Sequence, residues 1–600
     1  MKKTAQKLAW LDRCLFSIAG PILEKELRVC SRHKRNYLLR FAFVMLLTAL
    51  VAGTWFTTVP MPGLRGPVPV AGFKVAATPV FQASRMAEVG RRVSIAIVIF
   101  QFIATQLAAA AMLSTAISEE INSRTLAMLM TTPISSTQIV IGKLLSRLLH
   151  VVLLMAISLP LLSIIRVLGG VPWDYVVSSL CVTFAAAVFT ASASLFFSTH
   201  RRHANVVIVD VAVVCLLLHV GVPALLDFLQ SHYNLPALVG SISTYISPVY
   251  FMVENTRAVD NPALTGQVPI WPLICVTSLF GAAFFLTLTI SSLRRLALRQ
   301  AMHEPGFLES VKKQRAADMR RGRRHPQSGR ISRVKGPPLI WRELKRPLTK
   351  TTRFRTVAGR TIICALIVAA YVTCTYFGVI GDTATHTAFV IVYMLAGLLR
   401  TTSAAATSLT SEKESGALPV LLTTPLHPTD VTFGKIAGSV LKSWPIWLLL
   451  LGHMLVFVLL GFIHPVALLL ILPLALAAAI VVSAGGVFLS SWFKRSSTSA
   501  TFGLILFLAF CLPVCIFPAP VYLTSPIVVS GLMMSVTAGP RAAQPLSQLG
   551  HNFRLWGTQG GAAGAILAVL TISTLYLLIA FVCFALAGAN LRHRIFRNGS

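Results

Sequence analysis

The chain has 600 residues, 55% of them hydrophobic and only 12% charged, with a formal net charge of +34. A soluble protein of this length needs far more charge to cover its surface, so a water-soluble enzyme or binding domain is excluded. What remains is a polytopic membrane protein, to be read through apolar runs of about 20 residues, the length that crosses roughly 30 Å of hydrocarbon.

In chain order, the amphipathic stretch "GPILEKELR" from Gly20 comes first and reads as a helix lying on the inner membrane face. Apolar runs follow near 41–59, 93–116, 144–165, 175–198, 204–222 and 270–291. A basic stretch, 292–336, separates them from a second surface element, "GPPLIWRELKR" from Gly336. Six more runs lie near 359–380, 386–409, 437–462, 465–490, 499–522 and 562–587. Backbone groups in lipid must be satisfied within the segment, and the runs are far longer than barrel strands, so they are helices. The fold class expected is an all-α polytopic membrane protein with about twelve transmembrane helices. They form two tandem six-helix repeats, each preceded by an amphipathic interfacial helix. The divisions are 1–291, a cytoplasmic linker 292–336, and 337–600.

Orientation follows from Lys and Arg. With the N-terminus inside, the inner segments hold 43 of the 53 basic residues, which places both termini in the cytoplasm. Arg91 and Arg92 are the local exception, just outside the second span. The net charge is thus mainly a topology signal. The basic stretch 312–335 is met by anionic headgroups, so the bilayer is the expected partner and nucleic acid is not. Eight of the ten Cys lie in expected spans and no CxxC pair exists, which points to apolar packing rather than a zinc site or disulfide framework. In the outer loops, "SISTYISPVYFM" from Ser241 reads as a re-entrant or interfacial helix.

One polar stretch occurs twice. "EINSRTLAMLMTTPISSTQIVIGK" (120–143) and "EKESGALPVLLTTPLHPTDVTFGK" (412–435) align without a gap, with ten identities in 24 positions. The same offset of 292 carries Phe196-Phe197-Ser198 onto Phe488-Leu489-Ser490, so the two halves are one repeated unit. Both copies are cytoplasmic, between the second and third spans of a half. Leu126 and Leu129, like Leu418 and Leu421, form an apolar stripe on a short helix that Pro133 and Pro425 stop. Ser135-Ser136 and Thr429-Asp430 read as N-caps for the third spans. A short helix with apolar knobs, presented twice with pseudo-twofold symmetry, suits docking of a two-lobed cytoplasmic partner. The competing reading is that the leucines pack on their own membrane helices.

The pattern E-x-E-x-G-x-L-x-x-L-L-x-T-P-x(8)-G-K resembles the cytoplasmic loop of type-2 class ABC exporter permeases. The second copy carries it at Glu412, Glu414, Gly416, Leu418, Leu421, Thr424, Pro425, Gly434 and Lys435. The first departs from it at Asn122 and Arg124, which implies weaker coupling there. The resemblance implies that the surface helix, the Glu-bearing end of the second span and a coupling helix form a bundle that meets an ATP-binding subunit. Glu120 and Glu412 would hold the bundle, pairing with basic residues such as Arg28 and Arg342. Residues around Leu126, Leu129, Thr132 and Pro133, and around Leu418, Leu421 and Thr424, would touch the ATPase. Pro419 would start the coupling helix after a break at Gly416. Neither Gly142-Lys143 nor Gly434-Lys435 has the upstream Gly or the following hydroxyl of a phosphate loop. ATP and magnesium therefore belong to a separate ATPase, two copies per permease, and no cofactor is expected in this chain.

A secondary transporter driven by an ion gradient is the rival class, and it would place ionisable residues near the bilayer centre. The spans hold few: Asp210, Arg400 and single histidines. An intramembrane hydrolase has only Ser483 and His453 to draw on, with nothing to mark them off from helix packing. In the resembled family the second and fifth spans of opposite halves face each other across the pathway. That places Asp210 opposite Arg400 as an inner-gate pair; the alternative is that each faces water in an open cytoplasmic cavity.

Overall fold

Long apolar runs leave the backbone no partner but itself, and each carries a helix. The computed structural model describes residues 23–26, 28, 34–58, 79–122, 134–169, 171–201, 204–223, 226, 230, 245–260, 270–301, 337–345, 353–376, 378–511, 530, 533, 534, 537 and 561–597. The first half runs α1 (Lys34–Thr58), α2 (Pro79–Leu113), the short α3 (Ser118–Asn122), α4 (Ser136–Gly169), α5 (Trp173–His200), α6 (Ala204–Leu216), α7 (Pro248–Asp260) and α8 (Trp271–Ala301). The second runs α9 (Pro338–Lys345), α10 (Arg353–Tyr376), α11 (Thr383–Ala406), α12 (Thr410–Glu414), α13 (Ala417–Leu422), α14 (Pro428–Lys442), α15 (Trp444–Leu459), α16 (Val466–Trp492), α17 (Ser496–Cys511) and α18 (Gly561–Arg597).

Every expected span thus carries a helix, though not all are full crossings. Among the described residues eight stretches are long and apolar enough to cross a membrane, and α14 with α15 makes a ninth, bent by 52°. Ala204–His219, Ile367–Tyr376 and Ser496–Cys511 are apolar but shorter. The bend lies at Ser443, just before Trp444 and Pro445 open α15, and proline brings no amide to continue the ladder. Large apolar side chains such as Phe280, Val167 and Leu459 stay exposed, as a lipid-facing surface requires. The chain is a multi-pass, all-α membrane protein.

Three boundaries differ from the expectations. Helix α2 begins at Pro79, so Arg91 and Arg92 lie inside it, where Glu88 of the preceding turn pairs with both. The helix expected in the outer loop is α7, folded back on the fourth span: Asn255 Nδ2 donates to Ser178 Oγ (3.1 Å) and Ser179 Oγ (3.0 Å). Helix α8 continues to Ala301, ten residues into the stretch read as linker; 302–336 lies outside the described residues.

The halves meet through α2 against α17 and α6 against α11, with α11 and α17 also in contact. At the centre, Ala111, Ile208, Ala500 and Leu504 are buried together, flanked by Leu107 and Leu399. Ile208/Ala500 and Leu107/Leu399 are equivalent positions of the repeat, so the apolar core of the interface follows the pseudo-twofold axis.

Candidate functional site

The repeated loop is held in the same way at its start in both halves. Each second span breaks before a short helix, freeing backbone amides. Ser198 Oγ accepts from the amides of Ile117 and Ser118, both at 3.2 Å. Ser490 Oγ, its repeat equivalent, accepts from Leu409 (2.9 Å) and Thr410 (3.0 Å). One serine at the inner end of the fourth span thus satisfies two amides in each copy.

The next element is a Glu–Lys–Glu cluster, also duplicated. Lys143 Nζ lies 3.0 Å from Glu120 and 3.4 Å from Glu26 of the first surface element. Lys435 Nζ lies 2.7 Å from Glu412 and 2.6 Å from Glu343 of α9. Arg342 also pairs with Glu412, and Lys442 with Glu343. The second cluster is the drier: the side chains of Lys435, Glu412 and Glu343 are 1%, 0% and 5% exposed, against 8%, 23% and 18% for Lys143, Glu120 and Glu26. The Gly before the Lys has its own reason. A Cβ on Gly434 would sit 2.8 Å from Leu339 Cβ, and one on Gly438 2.9 Å from Glu343 Cβ. Bare backbone lets α9 lie close enough for Lys435 to reach Glu343.

Burial pushes the Glu343 carboxyl up, but the Lys435 and Lys442 ammonium groups beside it prevail and hold it at about 2, against an ordinary 4.5. A carboxyl whose pKa is lower folded than unfolded contributes stability above the unfolded value and loses it as pH falls through the folded one. Docking of α9 should therefore be constant from pH ~8 to ~5 and weaken from 4.5 towards about 2. Hydrogen exchange of 338–345 in the purified permease reads this, and Glu343→Gln should flatten the profile.

Two further contacts belong to the second copy alone. Lys413 Nζ donates to the carbonyls of Ser490 (2.5 Å), Ser491 (2.7 Å) and Phe493 (2.7 Å), capping the C-terminal end of α16. Glu414 accepts from the Ser496 amide (2.6 Å) and hydroxyl (2.7 Å) at the start of α17. The first copy has Ile121 and Asn122 at these positions, which offer neither charge.

The structure redirects several expected roles. Leu418 and Leu421 are buried in the core of the second half, 7% and 4% exposed, so the leucine stripe faces inward and is not the docking surface. The hydrophobic effect takes the larger side chains into the core, and the opposite face is left outside: Pro419, Thr423, Thr424, Pro425 and, at 68%, Val420. Gly416 in the left-handed region (φ 68°) separates α12 from α13, and Pro419 is the third residue of α13. The loop positions Leu126, Leu129, Thr132 and Pro133 lie outside the described residues. Ser135 caps α4, its Oγ accepting from the Gln138 amide (3.2 Å) while Gln138 Oε1 accepts from the Ser135 amide (3.1 Å). In the second copy His427, not Thr429, is the N-cap, because Pro428 occupies the first helical position. Arg28 pairs with Glu24 one turn earlier in its own helix, while Lys143 meets Glu120.

The expected Asp210–Arg400 contact is not made. Asp210 pairs with Arg201 at 2.8 Å, from the end of the preceding helix nine residues earlier, which is already beside it. Arg400 Nε donates to the Lys442 carbonyl (3.4 Å), and its charge acts on Asp210 from farther away. The sequence reading missed Lys143, Lys435, Glu26 and Glu343. The signal available was the repeated Gly-Lys, together with a Glu-Leu-basic step in both surface elements, Glu26-Leu27-Arg28 and Glu343-Leu344-Lys345.

Two family models match, both described as ABC-2 family transporter protein, one over residues 21–293 and the other over 375–589. No curated protein and no solved structure gives a match. With one such domain in each half, each carrying its own copy of the repeated loop and ion cluster, the chain belongs to the ABC-2 transporter family and is a transmembrane subunit of an ABC transporter.

Proposed function

We propose that this chain supplies both membrane halves of an ATP-driven exporter, fused in one chain and served by two copies of a separate ABC ATPase. Membership of the family implies pairing with such an ATPase. The observation that carries the reading is the duplicated Glu–Lys–Glu cluster. It clamps each loop to its surface helix, so a push on the exposed face of α13 is transmitted to α9, α14 and the second span as one body. Hydrolysis of ATP takes place in the partner. Both termini and both loops face the cytoplasm, and the membrane is the plasma membrane, the inner membrane in a bacterium. An ion-gradient transporter would have no use for two matched docking loops. ATP depletion should stop transport by the assembled complex, and an ionophore should leave it running.

Val420 is the test of docking. It is apolar, 68% exposed and on the outer face of α13. Val420→Asp should weaken ATPase binding at least ~30-fold, as an interface residue worth about 2 kcal/mol or more does. Co-purification should give one wild-type permease to two ATPases and a permease from the variant with fewer. A wild-type ratio other than one to two, or unchanged binding by the variant, would count against the reading.

A further inference from the structure

The first spans of the two halves are held very differently. Helix α1 buries Leu39, Phe43, Leu47 and Leu50 in the core of its half, where Phe43 packs on Phe100 with ring centroids 5.4 Å apart. Among the described side chains of α10 none is buried, and Tyr371 alone joins the core of the second half. That one contact is well made. The Tyr371 ring is stacked on Phe389 of α11, with centroids 4.5 Å apart and planes 10° from parallel. Its hydroxyl is hydrogen-bonded to the Tyr393 hydroxyl of α11 (3.0 Å) and to His453 Nδ1 of α15 (2.8 Å). One tyrosine thus ties the first span of this half to its second and third.

Around that hydroxyl the site is aromatic and carries two imidazoles. His386 of α11 and His453 are 0% and 4% exposed, with ring centroids 5.5 Å apart. Both also pack on Phe457, at 4.7 and 4.8 Å. His453 Nε2 and both ring nitrogens of His386 are buried and close no hydrogen bond, although the Ile380 backbone bears on His386. The other titratable groups at the site are Tyr371, with Cys374 beside it on α10, and Tyr393 of α11. No lysine, arginine or carboxylate is among these contacts. Asp382, one turn before His386, is exposed, and His464, beyond α15, accepts from the Val466 amide (3.2 Å). A proton on either buried imidazole therefore sits in a dry place, without a counter-charge and against a second imidazole. Ring faces return only part of the hydration it loses. The repeat carries His386 onto Ser94 and His453 onto Leu161, so the first half has no such pair.

We propose that this cluster is a proton-operated latch: with both imidazoles neutral, Tyr371 holds α10 on the second half, and a proton taken up by His386 or His453 releases it. The driving chemistry is linkage. Release lets water reach the imidazoles, so the released state binds the proton that the latched state refuses. The sign follows: the latch is at full strength above the ordinary imidazole range and weakens as pH falls through it. The site lies at the end of the bundle away from the repeated loop, because His386 is in the first turn of α11 and Glu412 comes beyond the far end of that helix. The device does not rest on the exporter reading and needs no ATPase.

The experiment measures the distance between spin labels on Val372→Cys of α10 and Val392→Cys of α11, both exposed positions. It uses the full permease, its native cysteines replaced by alanine, in phosphatidylcholine nanodiscs at two pH values, ~7.5 and ~5.5, on either side of the ordinary imidazole pKa of about 6.5. The short distance should dominate at the higher pH. The ratio of long to short should rise ~10-fold at the lower, as uptake of one proton by an imidazole released into water requires. His386→Phe/His453→Phe keeps the rings and removes the proton sites, and should hold the short distance at both pH values. Tyr371→Ala, at a half-buried position that spares the core, should show the long distance already at the higher pH. Asp382→Asn and His464→Gln should respond to pH as the unsubstituted cluster does. A distribution that is the same at both pH values, a response that survives in the double histidine variant, a short distance kept by Tyr371→Ala, or a response lost in Asp382→Asn or His464→Gln overturns the proposal.

Discussion

Lys435→Met should be the most damaging single change in the bundle of α9, α12 and α14. The side chain is 1% exposed and touches both Glu343 and Glu412, at 2.6 and 2.7 Å. Without it two buried carboxylates face each other with Arg342 and Lys442 at the edges only. Removing one partner of a buried ion pair costs about 3–5 kcal/mol, because the charge left behind cannot be solvated. The equivalent Lys143→Met should cost far less, on the order of 1 kcal/mol, since Glu120 and Glu26 are reached by water. Thermal unfolding of the two variants in detergent gives the difference, and the ATP consumed per substrate moved gives its consequence. Lys435→Met should hydrolyse ATP with the partner but transport little. Equal losses in both variants would refute the idea that the second bundle is the tighter mechanical link.

Gly434→Val should separate α9 from α14 without touching any charge. Its Cβ would lie 2.8 Å from Leu339 Cβ, an atom fixed by its own backbone, so the helices must part rather than a side chain turn. Overpacking of this kind costs about 1–3 kcal/mol. Parting the helices also stretches the Lys435–Glu343 contact, so the cost falls on the ion cluster as well. Gly438→Val should act alike against Glu343 Cβ, and Gly452→Val, with nothing within 4 Å of its Cβ, serves as the control. Faster hydrogen exchange across 338–345 in the first two and unchanged exchange in the third is the expected pattern. Protection in Gly434→Val equal to that of the wild type would show that the close approach is not needed.

The two experiments bear on why one half is better built for coupling than the other. Lys413 caps the carbonyl end of α16 and Glu414 caps the amide end of α17, so the second loop is tied to its fourth and fifth spans. Ile121 cannot repeat the first tie, and Asn122 brings no charge to the second. The departure of the first copy from the repeated pattern thus has a counterpart in the lysine cap that Ile121 cannot supply.

The sequence by itself determined the membrane class, the approximate position of the apolar helices, the duplication and the two loops. These follow from local rules: apolar length sets a span, proline and glycine punctuate it, and a gap-free repeat needs no partner to be read. Arg342 beside Glu412 could also be anticipated, because both lie in elements that occur in each half. The tertiary structure alone decided which contacts the charges make. Glu343 and Lys435 are 92 residues apart, and nothing local says that α9 crosses α14 at a glycine. Nor does a leucine stripe say which way it faces; Leu418 and Leu421 turned inward because the core of the second half had room for them. Asp210 took Arg201, nine residues away and already beside it, rather than Arg400 across the interface. Periodicity reports what a helix is. A side chain's partner depends on which helices arrive beside it, and that is settled only when the helices of a half pack together.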